Sequence, residues 1–570
     1  MEKIPSSRLF LFHSIAILIV PLLALVFLEA GLHIAGFGYD SHFLIPYETQ
    51  REESLINNRD FTAQFFSKNL ARAGVPVCMT KHKSQGTYRI FVLGESAAAG
   101  YPIPDFSFSR MLGAMLKAEF PDINFEIINT SIVAINSHVI LKMAQELGSY
   151  QPDMFILYIG NNEVVGPYGP GTIFAPFTNN LFLIRSIIYL KSTKIGQLLQ
   201  FFIDHLGMRK PVTPQVWDGM AMFWKKQINQ DDPRMKRVFQ FYERNLNDII
   251  TVCRHSGAKV VLSTVGSNIK DMAPFGSAHE KPVGEKWVEL YESAIHEQQA
   301  KHYTKAVKQF LLAAHLDDSY AELYFRLGSC YEDLDQFDLA RASYTKARDA
   351  DTLRFRADTK INDIIRKIAA KRKGELAFAD SSRNFETHSP HGISGNEFFY
   401  EHVHMNFSGQ YLLATSLWPS VRAQLPQWIL KDQKLPQSIL SKEECAQYLG
   451  YPHLEEYLAT KQIIESLANR PPFTQELNHQ ALMDHLEQEL NSLKDGIQKS
   501  GVRKALQEYE YALKRNPQDP WIYYHVGRAY LLLNQPQEAQ GFLRFAVLKM
   551  PSLIEPSRLL KLTQKELLSK

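Results

Sequence analysis

Cysteine is scarce and scattered. Cys78, Cys253, Cys330 and Cys445 lie far apart and no two form a CxxC pair, which excludes a zinc ribbon and a disulfide-dense scaffold while remaining compatible with one disulfide. An excess of charge of either sign is missing too. With 63 basic and 60 acidic residues and no dense Lys/Arg block, the chain lacks the stripe that tracks phosphates, and no nucleic acid partner is expected. A loop ending in Gly-Lys-Ser/Thr is also absent where it would be sought: "GESAAAG" (94–100) breaks an apolar run at glycine but carries no phosphate-binding lysine.

A long apolar run is present. From 9 to 35 the chain reads "LFLFHSIAILIVPLLALVFLEAGLHIA", and about 20 such residues cross a bilayer. The run exceeds the core of a secretory signal and lacks a small-x-small cleavage site after it, so an uncleaved anchor over 1–36 is expected. Lys3 and Arg8 precede it, favouring a cytoplasmic N-terminus with the bulk of the chain translocated, periplasmic or at the cell surface.

At 570 residues the chain exceeds one ordinary core, and domains of roughly 100 to 200 residues predict three or so. After a polar juxtamembrane stretch (37–86), expected to be irregular, "TYRIFVLG" (87–94), "NFEIINTS" (124–131), "DMFILYIG" (153–160) and "AKVVLSTVG" (258–266) are continuous apolar runs with helical patterns between them. That alternation predicts a parallel sheet covered on both faces, a three-layer α/β/α arrangement. Residues 167–234, rich in Pro, Gly and aromatics, interrupt it as a lid or membrane-proximal elaboration.

A second period follows. Tyr324, Leu327, Gly328, Tyr331, Ala340, Tyr344 and Ala347 have the spacing of a tetratricopeptide repeat, and Ala294, Ala306, Phe310 and Ala313 stand 34 residues earlier in register. The pattern returns at Tyr523, Gly527, Tyr530, Ala539, Leu543 and Ala546. Small residues let paired helices approach while aromatics fill the holes, so these positions are structural, and such helices serve protein partners. "LAFADSS" (376–382) reads as a fifth strand, which makes 287–354 an insertion in an α/β domain spanning 87–286 and 355–424. Residues 425–486 read as a helical linker and 487–570 as C-terminal repeats. Each repeat pair is expected to pack on the other or on the α/β domain.

Three polar motifs fall after strands, where open parallel sheets gather their ligand sites. Ser96 follows the first strand, Asn161, Asn162 and Glu163 the third, and "EHVHMNFSGQ" (401–410) the fifth. A serine needs an imidazole to take its proton and a carboxylate to orient that imidazole. His404 with Glu401 three residues earlier supplies such a pair. On local sequence alone Ser96 is equally a helix N-cap, and His402 with His404 could instead face one way and bind a metal, although no further ligand cluster supports this.

Taken in order, Gly94-Glu95-Ser96-Ala97-Ala98-Ala99-Gly100, the turn 129–134, Gly160-Asn161-Asn162-Glu163 and Glu401-His402-Val403-His404 resemble the motifs of the SGNH, or GDSL-like, esterase superfamily. The match covers about a third of the chain. It implies a flavodoxin-like SGNH fold, Ser96 as nucleophile, His404 as base with Glu401 as its acid, and an oxyanion hole from the Ser96 and Ala134 backbone N–H groups and the Asn162 carboxamide. Glu95, Glu163 and Glu401 stand where the family has aspartates, and Ala134 where a glycine is usual. No metal and no organic cofactor is required by this chemistry. The resemblance further implies an ester-cleaving or acyl-transferring enzyme of the cell envelope, acting on an acylated substrate such as an O-acetylated glycan. Arg354 and Arg356 in "LRFRAD" are speculative contacts for an anionic substrate, with ion-pair roles the alternative. An inactive envelope scaffold assembling partners through its repeats is the competing expectation.

Overall fold

The computed structural model describes residues 6–48, 53–175, 177–206, 217–431 and 439–568. Five strands form a wholly parallel sheet at its centre: β4 (Thr87–Gly94), β5 (Asn124–Asn129), β6 (Met154–Tyr158), β7 (Lys259–Ser263) and β8 (Ala377–Ala379). Their order is β5-β4-β6-β7-β8, the doubly wound order 2-1-3-4-5 in which the chain reverses direction beside its first strand. The continuous apolar runs form because β4 and β6 are buried on both faces. The amphipathic helices Phe108–Glu119, Ser137–Leu147, Pro233–His255, Thr359–Lys371 and Phe407–Ala423 cover them. The five strands fall within the expected runs: the first fills 87–94, and the other four are shorter than their runs.

The described residues of 37–86 form regular structure rather than an irregular stretch. Three antiparallel strands, β1 (Leu44–Glu48), β2 (Glu53–Asn57) and β3 (Cys78–Thr80), form a small sheet. Its polar composition conceals Phe43, Phe61, Phe65 and Phe66, all buried in the main core.

The insertion consists of Glu285–Gln299, Tyr303–Leu316, Ala321–Asp333 and Phe337–Ala350. A Cβ on Gly328 would lie 2.8 Å from the Tyr344 ring, and one on Gly527 would lie 2.7 Å from Leu543. The small-against-large register of both repeat pairs is therefore enforced by contact distance. Each pair packs on the α/β domain. In the insertion, Lys270 pairs with Glu332 at 3.0 Å and Phe337 stacks on His391 at 3.5 Å. The C-terminal helices Lys499–Arg515, Pro520–Leu532, Pro536–Lys549 and Ile554–Leu568 dock through Arg110 on Asp519 (2.6 Å) and His525 on Asp105 (2.6 Å).

The supposed linker does more than connect. Its helices Lys442–Leu449, His453–Ile463 and His479–Ser492 join the main core through Leu449, Ile463, Phe473 and Leu482. Its loop is fixed to the α/β domain by the Ala273 N–H donating to Glu476 (2.8 Å) and Asn478 (2.9 Å).

Candidate active site

The site is set by one close approach. Where β4 ends, a Cβ on Gly94 would lie 2.3 Å from Ala98 and 2.6 Å from the Tyr158 carbonyl, so the strand turns directly into the short helix Ser96–Ala99 against its neighbour. Ala97 and Ala98 are buried beneath it, and larger side chains would lift the turn off the sheet. Ser96 occupies the first helical position, where its N–H has no carbonyl of its own helix to reach.

Glu95 is spent on structure. Its carboxylate accepts from Asn161 N–H at 2.8 Å and Gly160 N–H at 3.3 Å, tying the turn after β4 to the turn after β6. Burial, reinforced by the Glu163 charge, raises its pKa well above the usual carboxylate range, against those backbone donors. Glu163 likewise accepts from the Ser137 N–H and hydroxyl, both at 2.8 Å, holding the start of helix Ser137–Leu147, and burial lifts its pKa to about 7. The Asn161 side-chain oxygen Oδ1 accepts from Ala357 N–H at 3.1 Å. All three neighbours of the motif residues are thus consumed. Ser96 and Asn162 differ: each is buried to within 8 %, yet neither side chain has a hydrogen-bonding partner among the described residues. Just beyond the ends of strands paired at Gly94 and Tyr158, these two side chains are uncommitted polar groups, as is the buried Ser131 hydroxyl at the same edge.

Glu401 is completely buried and serves two imidazoles. One carboxylate oxygen contacts His402 Nδ1; the other contacts His404 Nδ1 and accepts from the His404 N–H at 3.0 Å. The His404 ring lies 4.8 Å from the Tyr101 ring, and Tyr101 N–H donates to the Ser96 carbonyl at 3.2 Å. Tyr101 thus touches both the His404 ring and the Ser96 turn, while His404 Nε2 has no hydrogen-bond partner among the described residues, the Ser96 hydroxyl included. The 401–404 loop is also tied to the loop after β7, through the Asn268 N–H on the His402 carbonyl (3.0 Å). Burial pushes His404 down, to about 3. A neutral imidazole at ordinary pH is the form a base needs. His402 is driven further down by burial and by the nearby His404 and Arg356, and its ring is walled by Phe275 at 5.2 Å and Phe473 at 5.7 Å.

Ala134 has φ +64°, the left-handed conformation for which the turn's glycine would be the ordinary choice. An L-residue there costs about 1 to 2 kcal/mol. Glycine's extra freedom in the unfolded chain takes back about 0.4 to 1 kcal/mol. Ala134→Gly is therefore expected to stabilise by about 0.5 kcal/mol, read as a higher denaturant midpoint with an unchanged slope.

Arg354 and Arg356 do not offer their charges to a substrate. Arg354 donates to Asp358 at 2.7 Å and to the Asp349 carbonyl at 2.9 Å. Arg356 donates to Asp351 at 3.1 Å and to the Asn268, Met272 and Ala273 carbonyls. Both are buried, and both brace the loops that return from the insertion. The sequence reading missed one side of the site instead. Tyr101 Oη lies 2.8 Å from Ser466 Oγ, and Phe473 packs 5.0 Å from Phe275 and 5.7 Å from His402, so Ser466 and Phe473 line the side of the site that carries Tyr101 and His402. Tyr101 directly follows the Gly94–Gly100 motif, but only a contact some 365 positions along the chain reveals its use.

A family model for the tetratricopeptide repeat matches residues 508–541. That segment is a repeat by sequence and by structure. No curated protein sequence matches the chain. Similar solved structures include TesA, at 12% identity over 59% of this chain and 99% of that one, with a TM-score of 0.25. A GDSL-like lipase from Bacteroides thetaiotaomicron is 9% identical over 59% and 89%, at a TM-score of 0.26. LAE5, an alpha/beta hydrolase enzyme from the metagenome of Lake Arreo, is 10% identical over 60% and 97%, at 0.26.

Proposed function

We propose that this chain is a membrane-anchored serine esterase of SGNH type that cleaves or transfers an acyl ester outside the cytoplasm. The observation that carries the reading is the pair Ser96 and Asn162, uncommitted at the carboxyl edge of the sheet, with Tyr101 touching both the Ser96 turn and the His404 ring of the Glu401–His404 pair. In this reading His404 Nε2 takes the Ser96 hydroxyl proton as Oγ bonds to the acyl carbon. Glu401 holds the Nδ1–H tautomer and stabilises the imidazolium that forms. The carbonyl oxygen, now an oxyanion, is met by the Ser96 and Ala134 N–H groups and the Asn162 carboxamide. Collapse breaks the ester C–O bond, and His404 returns its proton to the departing alcohol. Water or a sugar hydroxyl then attacks the acyl-serine by the reverse sequence.

The anchor rests on helix Ser6–Ile34, whose window Ile17–Ile34 is long and apolar enough to cross a bilayer; Lys3 and Arg8 ahead of that window favour an extracytoplasmic catalytic domain. An O-acetylated envelope glycan suits an enzyme held there, and the repeat helices offer a protein-binding face. The competing reading is an inactive scaffold, favoured by the burial of Ser96 and by Glu401 being shared between two histidines. Fluorophosphonate labelling of the full chain decides: a covalent adduct on Ser96 is expected, and a folded, unlabelled chain supports the scaffold. Acetate release with and without an acceptor glycan then separates hydrolysis from transfer. Glu401, His402 and His404 also present ligand atoms within 4.8 Å of one another, so labelling is expected to persist after exhaustive chelation, whereas its loss would assign these side chains to a metal.

A further inference from the structure

The helical hairpin within 167–234 carries an apolar surface that the protein does not cover. Its helices are Leu181–Ser192 and Lys194–His205. Ile184 and Ile188 bury one face of the first helix in the main core. Phe182 and Tyr189 on the opposite face are 79 % and 70 % exposed, Leu183 and Leu190 beside them are also exposed, and the second helix continues the surface with Leu199, Phe202 and Leu206. A helix apolar on every side is ordinarily buried in a core or in lipid.

The hairpin is fastened to the end of the apolar N-terminal helix. Glu29 accepts from the Lys194 and Ile195 N–H groups at 2.7 and 2.8 Å, capping the second hairpin helix with a carboxylate from the N-terminal one. Just beyond that helix, Tyr39 Oη donates to the Lys191 carbonyl at 3.1 Å, Lys194 Nζ donates to the Tyr39 carbonyl at 2.9 Å, and Phe37 meets Phe201 edge-on at 6.1 Å. The window Ile17–Ile34 has a mean hydropathy of 2.4 and none of it is buried. At 1.5 Å per residue it spans about 27 Å, close to the hydrocarbon thickness of a bilayer. Glu29 lies five residues before the end of this window, about 8 Å along the axis, within the 5 to 10 Å or so to which interfacial helices bury their apolar face. Aromatic side chains such as Phe182, Tyr189, Phe201 and Phe202 are the residues that settle in that layer.

We infer that the Leu181–His205 hairpin lies in the interfacial layer of the same phospholipid bilayer that Ile17–Ile34 crosses, its outward apolar face immersed and its inner face packed on the α/β domain. The chain is then gripped at two points, which fixes the height and tilt of the Ser96 site above the membrane. This inference rests on the membrane-crossing helix and not on the esterase chemistry.

Nitroxide accessibility of the full-length chain in phosphatidylcholine/phosphatidylglycerol nanodiscs tests it. Single labels are placed at Tyr189→Cys and Phe202→Cys, with Leu23→Cys and Leu316→Cys as references, all in a Cys78→Ser background because Cys78 is exposed and Cys253, Cys330 and Cys445 are buried. Labels at 189 and 202 are expected to collide several-fold more with oxygen than with a water-soluble nickel complex, as at 23, whereas 316 shows the reverse. Nickel dominance at 189 and 202 overturns the inference by placing the face in water. Protection from both reagents overturns it by placing the face under protein. Nickel dominance at 23 removes the membrane span and the hairpin's role with it, leaving the esterase reading to stand or fall on labelling alone.

Discussion

Ser96→Ala is expected to abolish fluorophosphonate labelling and lower kcat/KM for an acyl ester by about 10³-fold or more while leaving the melting transition unchanged. Removing the nucleophile of a serine triad costs several powers of ten because nothing else can form the acyl intermediate. The fold should tolerate it, since the Ser96 side chain makes no described hydrogen bond and its neighbours Ala97 and Ala98 supply the packing. Asn162→Ala is the matched control on the same edge. Loss of one oxyanion donor is expected to lower kcat by about 10²- to 10³-fold with labelling slowed but not lost. The pH profile carries the sign of His404. A base whose pKa lies below the ordinary histidine value stays neutral as pH falls, so the acid limb of kcat/KM is expected well below pH 6.5. An acid limb at or above that value in the active chain would deny His404 the buried setting described above.

The sheet was legible because its central strands β4 and β6 are buried on both faces: "RIFVLG" and "MFILYIG" are apolar without alternation, and helical patterns separate them. The repeats were legible for the same kind of reason, since Gly328 under Tyr344 and Gly527 under Leu543 are local, periodic constraints. The small sheet of β1 to β3 was not. Its strands are short, and its core is drawn from Phe43, Phe61 and Phe65, spaced without a period because they pack on the main domain and not on one another in sequence. In the site, Ser96, Asn162 and His404 could be picked out by their positions after strands. Glu95, the odd residue of the first motif, proves to be a bracket between two turns, and its extra methylene over aspartate gives it the length to accept from both Gly160 and Asn161. Tyr101, Ser466 and Phe473 could not be found in advance, because their contacts join segments hundreds of residues apart and no local pattern encodes them.

Glu455→Gln is expected to loosen the C-terminal helices from the α/β domain. Glu455 is buried between the Asp105 turn, which follows the Ser96 helix, and helix Pro520–Leu532. It contacts Arg528 and the Tyr509 hydroxyl, and lies 3.2 Å from His525 Nδ1, while His525 Nε2 lies 2.6 Å from Asp105. Two carboxylates thus face two cations. Burial alone would raise Glu455, but Arg528 and His525 outweigh it and hold the carboxyl well below its usual range. His525 is lowered by burial and raised more by Glu455 and Asp105, to about 9. Neutralising Glu455 leaves an uncompensated buried cation, which typically costs 3 to 5 kcal/mol; the Arg528 side chain, 22% exposed, recovers part of its hydration, so about 3 kcal/mol is expected. The loss should appear as faster amide exchange and proteolysis across 499–568, with the sheet still protected. The pH dependence follows from the same cluster. Because His525 binds its proton more tightly folded than unfolded, its contribution is complete below about pH 6.5 and gone above about pH 9. Glu455 has the opposite sign: its contribution is present above about pH 4.5 and declines as the pH falls further. Docking of the repeats should therefore be firmest between these limits, and a Glu455→Gln chain should lose most of the alkaline limb along with the acid one. Asp105 belongs to the turn that follows Ser96 and Tyr101, so slackening of this cluster should reach the site. In the Glu455→Gln chain the labelling rate of Ser96 is expected to change in parallel with exchange across 499–568, which a repeat module merely tethered to the enzyme would not produce.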